Sequence, residues 1–212
     1  MPSVRDPAVR NVILLAICQA LAMTGMTMNM TVTALTGNEL APDPAWATLP
    51  LSLQFMATML TTMPASLYMR RVGRRLGFAT GVLVGMVGAT TAALSIINGN
   101  FVTFCLGSML IGSFQGFAVL YRYAAADTAS ESFRPRAISL VLAGGVLAAL
   151  SGPELAKWSH DLLAPIPFAG SFVVIAIVQS ISLIFLFFVR IPTPSAAAVS
   201  YTHLRAHETK AN

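Results

Sequence analysis

The sequence predicts an all-α integral membrane protein of six transmembrane helices. Hydrophobic residues make up 56% of the 212 and charged residues only 10%, against about 25% charged in an ordinary soluble domain. Six stretches each supply the roughly 20 apolar residues that cross the hydrocarbon core, and the arginines gather in alternate connections between them. So few charges cannot cover a soluble fold of this size, and the same composition excludes a disordered chain, which would be polar and highly charged.

In order along the chain, the expected spans run approximately Asn11–Leu35, Ala47–Met69, Leu76–Asn98, Phe101–Ala126, Ala137–Leu162 and Pro167–Ile191. Residues 1–10 are too polar and too short for a cleaved signal peptide, so the first span is read as an uncleaved anchor. Pro42, Pro44 and Pro50 interrupt the chain after the first span, Asn98-Gly99-Asn100 forms a tight turn after the third, and Pro165 and Pro167 part the fifth from the sixth. Basic residues then orient the bundle. Arg5 and Arg10 precede span one, Arg70, Arg71, Arg74 and Arg75 follow span two, Arg134 and Arg136 follow span four, and Arg190 closes span six. The first and third connections have none. Because basic residues stay on the cytoplasmic side, both ends are expected inside.

Several function classes drop out. Cys18 and Cys105 both lie in apolar stretches, so no disulfide framework is implied. One of the three histidines, His160, lies outside the last dozen residues, and no metal cluster is expected. The formal charge of +5 sits at helix ends, where it orients spans rather than binding nucleic acid. No G-x-x-x-x-G-K-[ST] loop is present to bind nucleotide phosphates. An intramembrane serine protease would need a G-x-S-G serine and a membrane-embedded histidine; neither occurs, so the chain is not read as an enzyme, and no cofactor is expected.

The run Val199–Thr209 reads as the in-frame translation of a transposase-type sequencing adapter, with Lys210, Ala211 and Asn212 following from an index. Residues 199–212 are therefore expected to be foreign, and the natural gene to continue beyond Ser195. His203 and His207 in this tail have helical i, i+4 spacing but no third ligand.

Between spans two and three stands Ser66-Leu67-Tyr68-Met69-Arg70-Arg71-Val72-Gly73-Arg74-Arg75. This run resembles the signature loop of the major facilitator superfamily, G-x-L-A-D-R-x-G-R-[RK], with Arg71, Gly73, Arg74 and Arg75 on matching positions. Gly73 suits the tight turn, and the arginines can meet carboxylates or helix C-termini while staying hydrated. Ser66 replaces the pattern's Gly, and Arg70 replaces its Asp. In the family that Asp helps latch the two halves of the carrier, so the resemblance implies a gating loop (Arg70, Arg71, Gly73, Arg74, Arg75) whose latch differs here.

In the fifth span, Gly144, Ala148, Gly152 and Pro153 resemble the family's G-x-x-x-A-x-x-x-G-P motif of proton-coupled exporters. Small residues four apart also simply let helices approach closely, and both readings stand. In the fourth span, Gln115 and Gly116 match the R-x-x-Q-G pattern, but Gly112 stands in place of the Arg linked to proton coupling. Arg122 in the same span is either part of the solute pathway or a snorkelling side chain paired with Asp127. Tyr121 lies beside it. In the first span Gln19 aligns with Met23, Met26 and Met30, while Thr24, Thr27 and Thr31 share a neighbouring face. Gln19, Gln54 and Gln115 would be costly facing lipid and are expected to point inward. The candidate pathway residues are thus Gln19, Thr27, Gln54, Gln115, Tyr121 and Arg122. Glu154 and Lys157 are expected to form an i, i+3 ion pair.

The resemblance covers residues 11–191 and implies the N-terminal six-helix bundle of a twelve-span carrier, made of two inverted three-helix repeats. Residues 192–198 would begin the central cytoplasmic loop. It implies a secondary transporter of a small organic solute, working by alternating access in a bacterial inner membrane against a C-terminal six-span bundle absent from this sequence. Spans four and five also resemble bacterial carriers labelled as riboflavin transporters, and the solute stays open between drug, metabolite and a riboflavin-like molecule, as do coupling and direction. The competing class is a non-transporting membrane scaffold, or a half-carrier that pairs with another six-span bundle.

Overall fold

The computed structural model describes residues 7–129 and 133–189. Arg5, Arg190, the expected loop at 192–198 and the adapter-like tail at 199–212 lie outside the described residues. Within them the chain is helical, without strands: α1 Pro7–Leu40, a 3-10 turn at Pro44–Trp46, α2 Leu49–Val72, α3 Arg74–Ile97, α4 Phe101–Ala118, α5 Tyr121–Thr128, α6 Arg134–Ser159 and α7 Ala169–Phe188.

The breaks have local causes. Asp43 Oδ1 accepts from the Ala45 amide at 2.8 Å to start the 3-10 turn. Gly73 is the only residue between α2 and α3, at φ 90° and ψ 153°, an essentially glycine-only region that costs other residues about 1–3 kcal/mol. Gly99 turns the chain at φ 62°, and Asn100 Oδ1 caps α4 by accepting from the Thr103 amide at 3.1 Å. The expected single span 101–126 is broken. The Leu120 amide bonds back three residues, to the Phe117 carbonyl at 3.0 Å, so the helix tightens there and restarts as α5.

Five segments are long and apolar enough to cross a membrane: Val9–Leu40, Arg74–Ile97, Phe101–Thr128, Arg134–Ser159 and Ala169–Phe188. The second expected span, Ala47–Met69, is corrected to a helix of sufficient length, 24 residues in α2, that falls short on hydropathy. Its deficit lies in Ser52, Gln54, Thr58, Thr61, Thr62 and Ser66 together with Arg70 and Arg71. Part of that polarity is hidden in the helix itself, since Thr58 donates to the Gln54 carbonyl at 2.9 Å and Thr62 to the Thr58 carbonyl at 2.7 Å. At the other extreme α1, with 34 residues, extends about 50 Å, well past the roughly 30 Å of hydrocarbon.

Two parallel crossings organise the bundle, α1 on α6 and α2 on α4, while α3 lies antiparallel between α4 and α7. Small residues allow the close approach: Gly88 and Gly107 pack α3 on α4, where an added Cβ would lie 2.9 Å from the opposite helix's carbonyl in each case. One apolar cluster fills the arginine-bearing end around Phe78 and Tyr121, stacked at 4.2 Å. A second fills the other end around Phe104 and Phe172, edge to face at 5.5 Å.

Candidate functional site

Gln54, Thr58 and Gln115 meet where α2 crosses α4. Gly112 makes this possible: a Cβ there would fall on the Gln54 carbonyl, with the Gln54 Cα at 2.9 Å. One turn on, a Cβ at Gly116 would lie 3.1 Å from the Thr58 carbonyl. The Thr58 hydroxyl reaches the Gly112 carbonyl at 2.9 Å and Gln115 Oε1 at 3.5 Å. Gln54, fully buried, accepts from Asn29 Nδ2 on α1 at 2.6 Å, and Asn29 in turn accepts from Thr33 at 3.1 Å. The result is one connected polar set across three helices, in which the Nε2 groups of both Gln54 and Gln115 have no hydrogen-bond partner within the protein. A buried donor in that condition costs about 1–3 kcal/mol.

Gln19 is also buried and its Oε1 lacks a protein partner, but it sits ten residues before Asn29, about 15 Å along the helix axis. Tyr121 is fully buried against Phe78, its hydroxyl without a partner. The structure therefore joins Gln54 to Gln115 and leaves Gln19 and Tyr121 apart from them. Asn29, Thr33 and Thr36 are interior residues that the sequence reading passed over, and all three are buried. Their spacing on α1 was the available signal: three polar residues on one helical stripe.

Thr27 belongs to the other crossing. Its hydroxyl donates to the Ala148 carbonyl of α6 at 3.0 Å, and a Cβ on Gly152 would collide with it. Thr24 and Ser151 exchange a bond at 3.0 Å, and a Cβ on Gly144 would lie 3.0 Å from the Ala20 Cβ. Gly144, Ala148 and Gly152 are all buried, with Pro153 inside the helix just beyond. This face of α6 is used for packing.

At the arginine end, Arg74 pairs with Asp127 of α5. Arg122 is exposed and lies over the Tyr123 ring, its Cζ 5.0 Å from the centroid. Of the two readings of Arg122, the one that pairs it with Asp127 is not seen, because Asp127 is taken by Arg74 at the start of α3. Arg75 donates to the Phe187 carbonyl at 2.7 Å, placing a cation on the C-terminus of α7, where the helix dipole favours it. Arg70 and Arg71 are exposed at the end of α2. At the opposite end, Lys157 and Glu154 pair at 2.7 Å on the surface. Among the described residues no three His, Cys, Asp or Glu side chains come together as a metal site.

Set against known proteins, residues 15–209 match the sequence profile of the Major Facilitator Superfamily. The chain belongs to this superfamily. It is similar to a riboflavin transporter of Brucella anthropi, 39% identical over 183 residues, which are 86% of this chain and 46% of the relative. It is also similar to an uncharacterized MFS-type transporter of Bacillus subtilis, 26% identical over 193 residues, 89% of this chain and 45% of that one. The chain thus spans a little under half the length of these relatives. Superfamily membership and the apolar helices make it an integral membrane protein of a transporter family. In the structure Gly73 makes the turn between α2 and α3, with Arg70 and Arg71 before it and Arg74 and Arg75 after it. Position 112 has no room for a side chain, because the α2 backbone at Gln54 occupies that space.

Proposed function

We propose that this chain is the N-terminal half of a secondary transporter that moves riboflavin, or a similarly flat and weakly charged organic molecule, across a bacterial inner membrane. The observation that carries the reading is the similarity to the Brucella anthropi riboflavin transporter. In this reading α2 is the second span, α4 and α5 together form the fourth, and the arginine end faces the cytoplasm. Spans one to three and four to six are inverted repeats. The two parallel crossings support this, because exchanging the repeats turns span one on span five into span four on span two.

The solute pathway runs beside α1, α2 and α4. Gln54 and Gln115 are its candidate contacts. Each carries an amide N–H pair that the half-bundle does not satisfy, and a ring carbonyl or ring nitrogen of the solute would accept from it. Gln19 supplies an acceptor further along α1, while Tyr121 and Arg122 stand toward the arginine end. Transport is rocking of this bundle against a second six-span bundle, with the Gly73 loop as part of the moving contact. Coupling through a fourth-span arginine is not part of the reading.

The test is growth and uptake. Riboflavin-auxotrophic bacteria expressing the uninterrupted gene should accumulate labelled riboflavin, and cells expressing the 212-residue chain alone should not. Membrane-inserted full-length protein that leaves riboflavin uptake at background would overturn the solute assignment. Uptake by the short chain alone would overturn the half-carrier assignment.

A further inference from the structure

Away from the glutamines, α3 and α7 leave a groove of about 200 Å³ between them at the arginine end, lined by Arg75, Leu76, Ala79, Leu183, Leu186 and Phe187. Its polarity is graded along the helices. Arg75 lies at the end of the bundle beside Phe187 near the end of α7, and Ala79 on α3 and Leu183 on α7 lie one turn further in. Arg75 is exposed, and its bond to the Phe187 carbonyl together with its position 5.8 Å from the Phe187 ring centroid fixes the guanidinium at the mouth. A guanidinium has five N–H donors, and the Phe187 carbonyl accepts from Nη2 alone. Among the described residues no carboxylate lines the groove, and Asp127 is held by Arg74.

We infer that this groove is a binding site for an anionic phospholipid, with the headgroup phosphate on Arg75 and the start of one acyl chain between Leu76, Ala79, Leu183 and Leu186. Charge complementarity selects this occupant. A cation at the membrane surface above an apolar slot matches a headgroup above its chain, and a fixed guanidinium can bond phosphate oxygens in pairs. A water-soluble solute would have to leave its polar groups against five apolar side chains, which nothing there would satisfy. The site needs only that the arginine end lies at a membrane surface, and it does not depend on which solute the carrier moves.

The experiment is native mass spectrometry of the 212-residue chain released from nanodiscs of equal phosphatidylglycerol and phosphatidylcholine. The expected result is preferential retention of phosphatidylglycerol by about fivefold, the factor one interfacial arginine contributes. Arg75→Gln abolishes the preference. Arg136→Gln removes the same charge from an exposed position off the groove and keeps the preference. Ala79→Phe fills the slot without touching Arg75 and lowers retention of both lipids, so a folding defect at Arg75 cannot mimic the whole pattern. Equal retention of the two lipids by the unaltered chain would overturn the site. So would equal losses in Arg75→Gln and Arg136→Gln, or unchanged retention in Ala79→Phe.

Discussion

The two parallel crossings, α1 on α6 and α2 on α4, are built with the same device and hold different contents. Each sets a pair of glycines on one helix against the close approach of the other: Gly144 faces Ala16 and Ala20 and Gly152 faces Thr27, while Gly112 faces the Gln54 backbone and Gly116 faces Thr58, Thr61 and Thr62. At α1–α6 every hydroxyl in the contact finds a partner, Thr27 on the Ala148 carbonyl and Thr24 on Ser151. At α2–α4 two glutamines are added, each with an unpartnered amide nitrogen. The first crossing is closed as a piece of architecture. The second carries hydrogen-bonding capacity that packing does not use, which is why the candidate site is placed there.

The largest expected effect tests how rigid that second crossing is. Gly112→Leu drives a side chain into the Gln54 backbone and should cost about 3 kcal/mol or more, read as loss of a monodisperse peak after detergent extraction. No side-chain change on α2 should rescue it, because the obstacle is backbone. Gly152→Ala should cost about 2 kcal/mol, seen as a lower thermal midpoint, and Thr27→Ala in the same chain should recover part of it, because the first obstacle there is a hydroxyl. Rescue at Gly112 but not at Gly152 would invert the comparison.

Replacing the glutamines separates capacity from packing. Gln54→Leu strands Asn29 Nδ2 without its acceptor and should cost about 1–2 kcal/mol. Gln115→Leu removes an unpartnered donor and one long contact from Thr58, whose hydroxyl keeps the Gly112 carbonyl as acceptor, so it should cost less than Gln54→Leu, about 1 kcal/mol or below. In the full-length carrier the same Gln115→Leu should lower solute uptake. A stability loss without an uptake loss would return Gln115 to architecture. Smallest of all, Thr24→Val should cost about 0.6 kcal/mol, the usual worth of one side-chain bond between membrane helices.

Much of this was legible along the chain. Apolar runs, proline and glycine punctuation and the arginine distribution mark the helices to within a few residues, because each reflects a local cost: backbone groups left unpaired in hydrocarbon, or a charge left in it. The Gly144, Ala148 and Gly152 spacing announced a close helix contact, and Glu154 and Lys157 announced their pair. What failed to show was partnership. Asp127 stands five residues from Arg122, and proximity in sequence suggested that pair, yet α3 brings Arg74 to it instead. Gly112 looked like an arginine lost from a motif. Its reason is the carbonyl of Gln54, 58 residues earlier, lying where a Cβ would be.

By itself, then, the sequence determined that the chain lives in a membrane, where its helices begin and end apart from the break between α4 and α5, and which end carries the arginines, since these depend on each residue's own transfer cost. Only the tertiary structure decided which polar residues satisfy one another. Thr27 and Gln54 read alike in one dimension, both polar residues inside apolar runs. One closes a helix crossing and the other is left holding an unused donor, because a hydrogen bond depends on what another helix brings within about 3 Å.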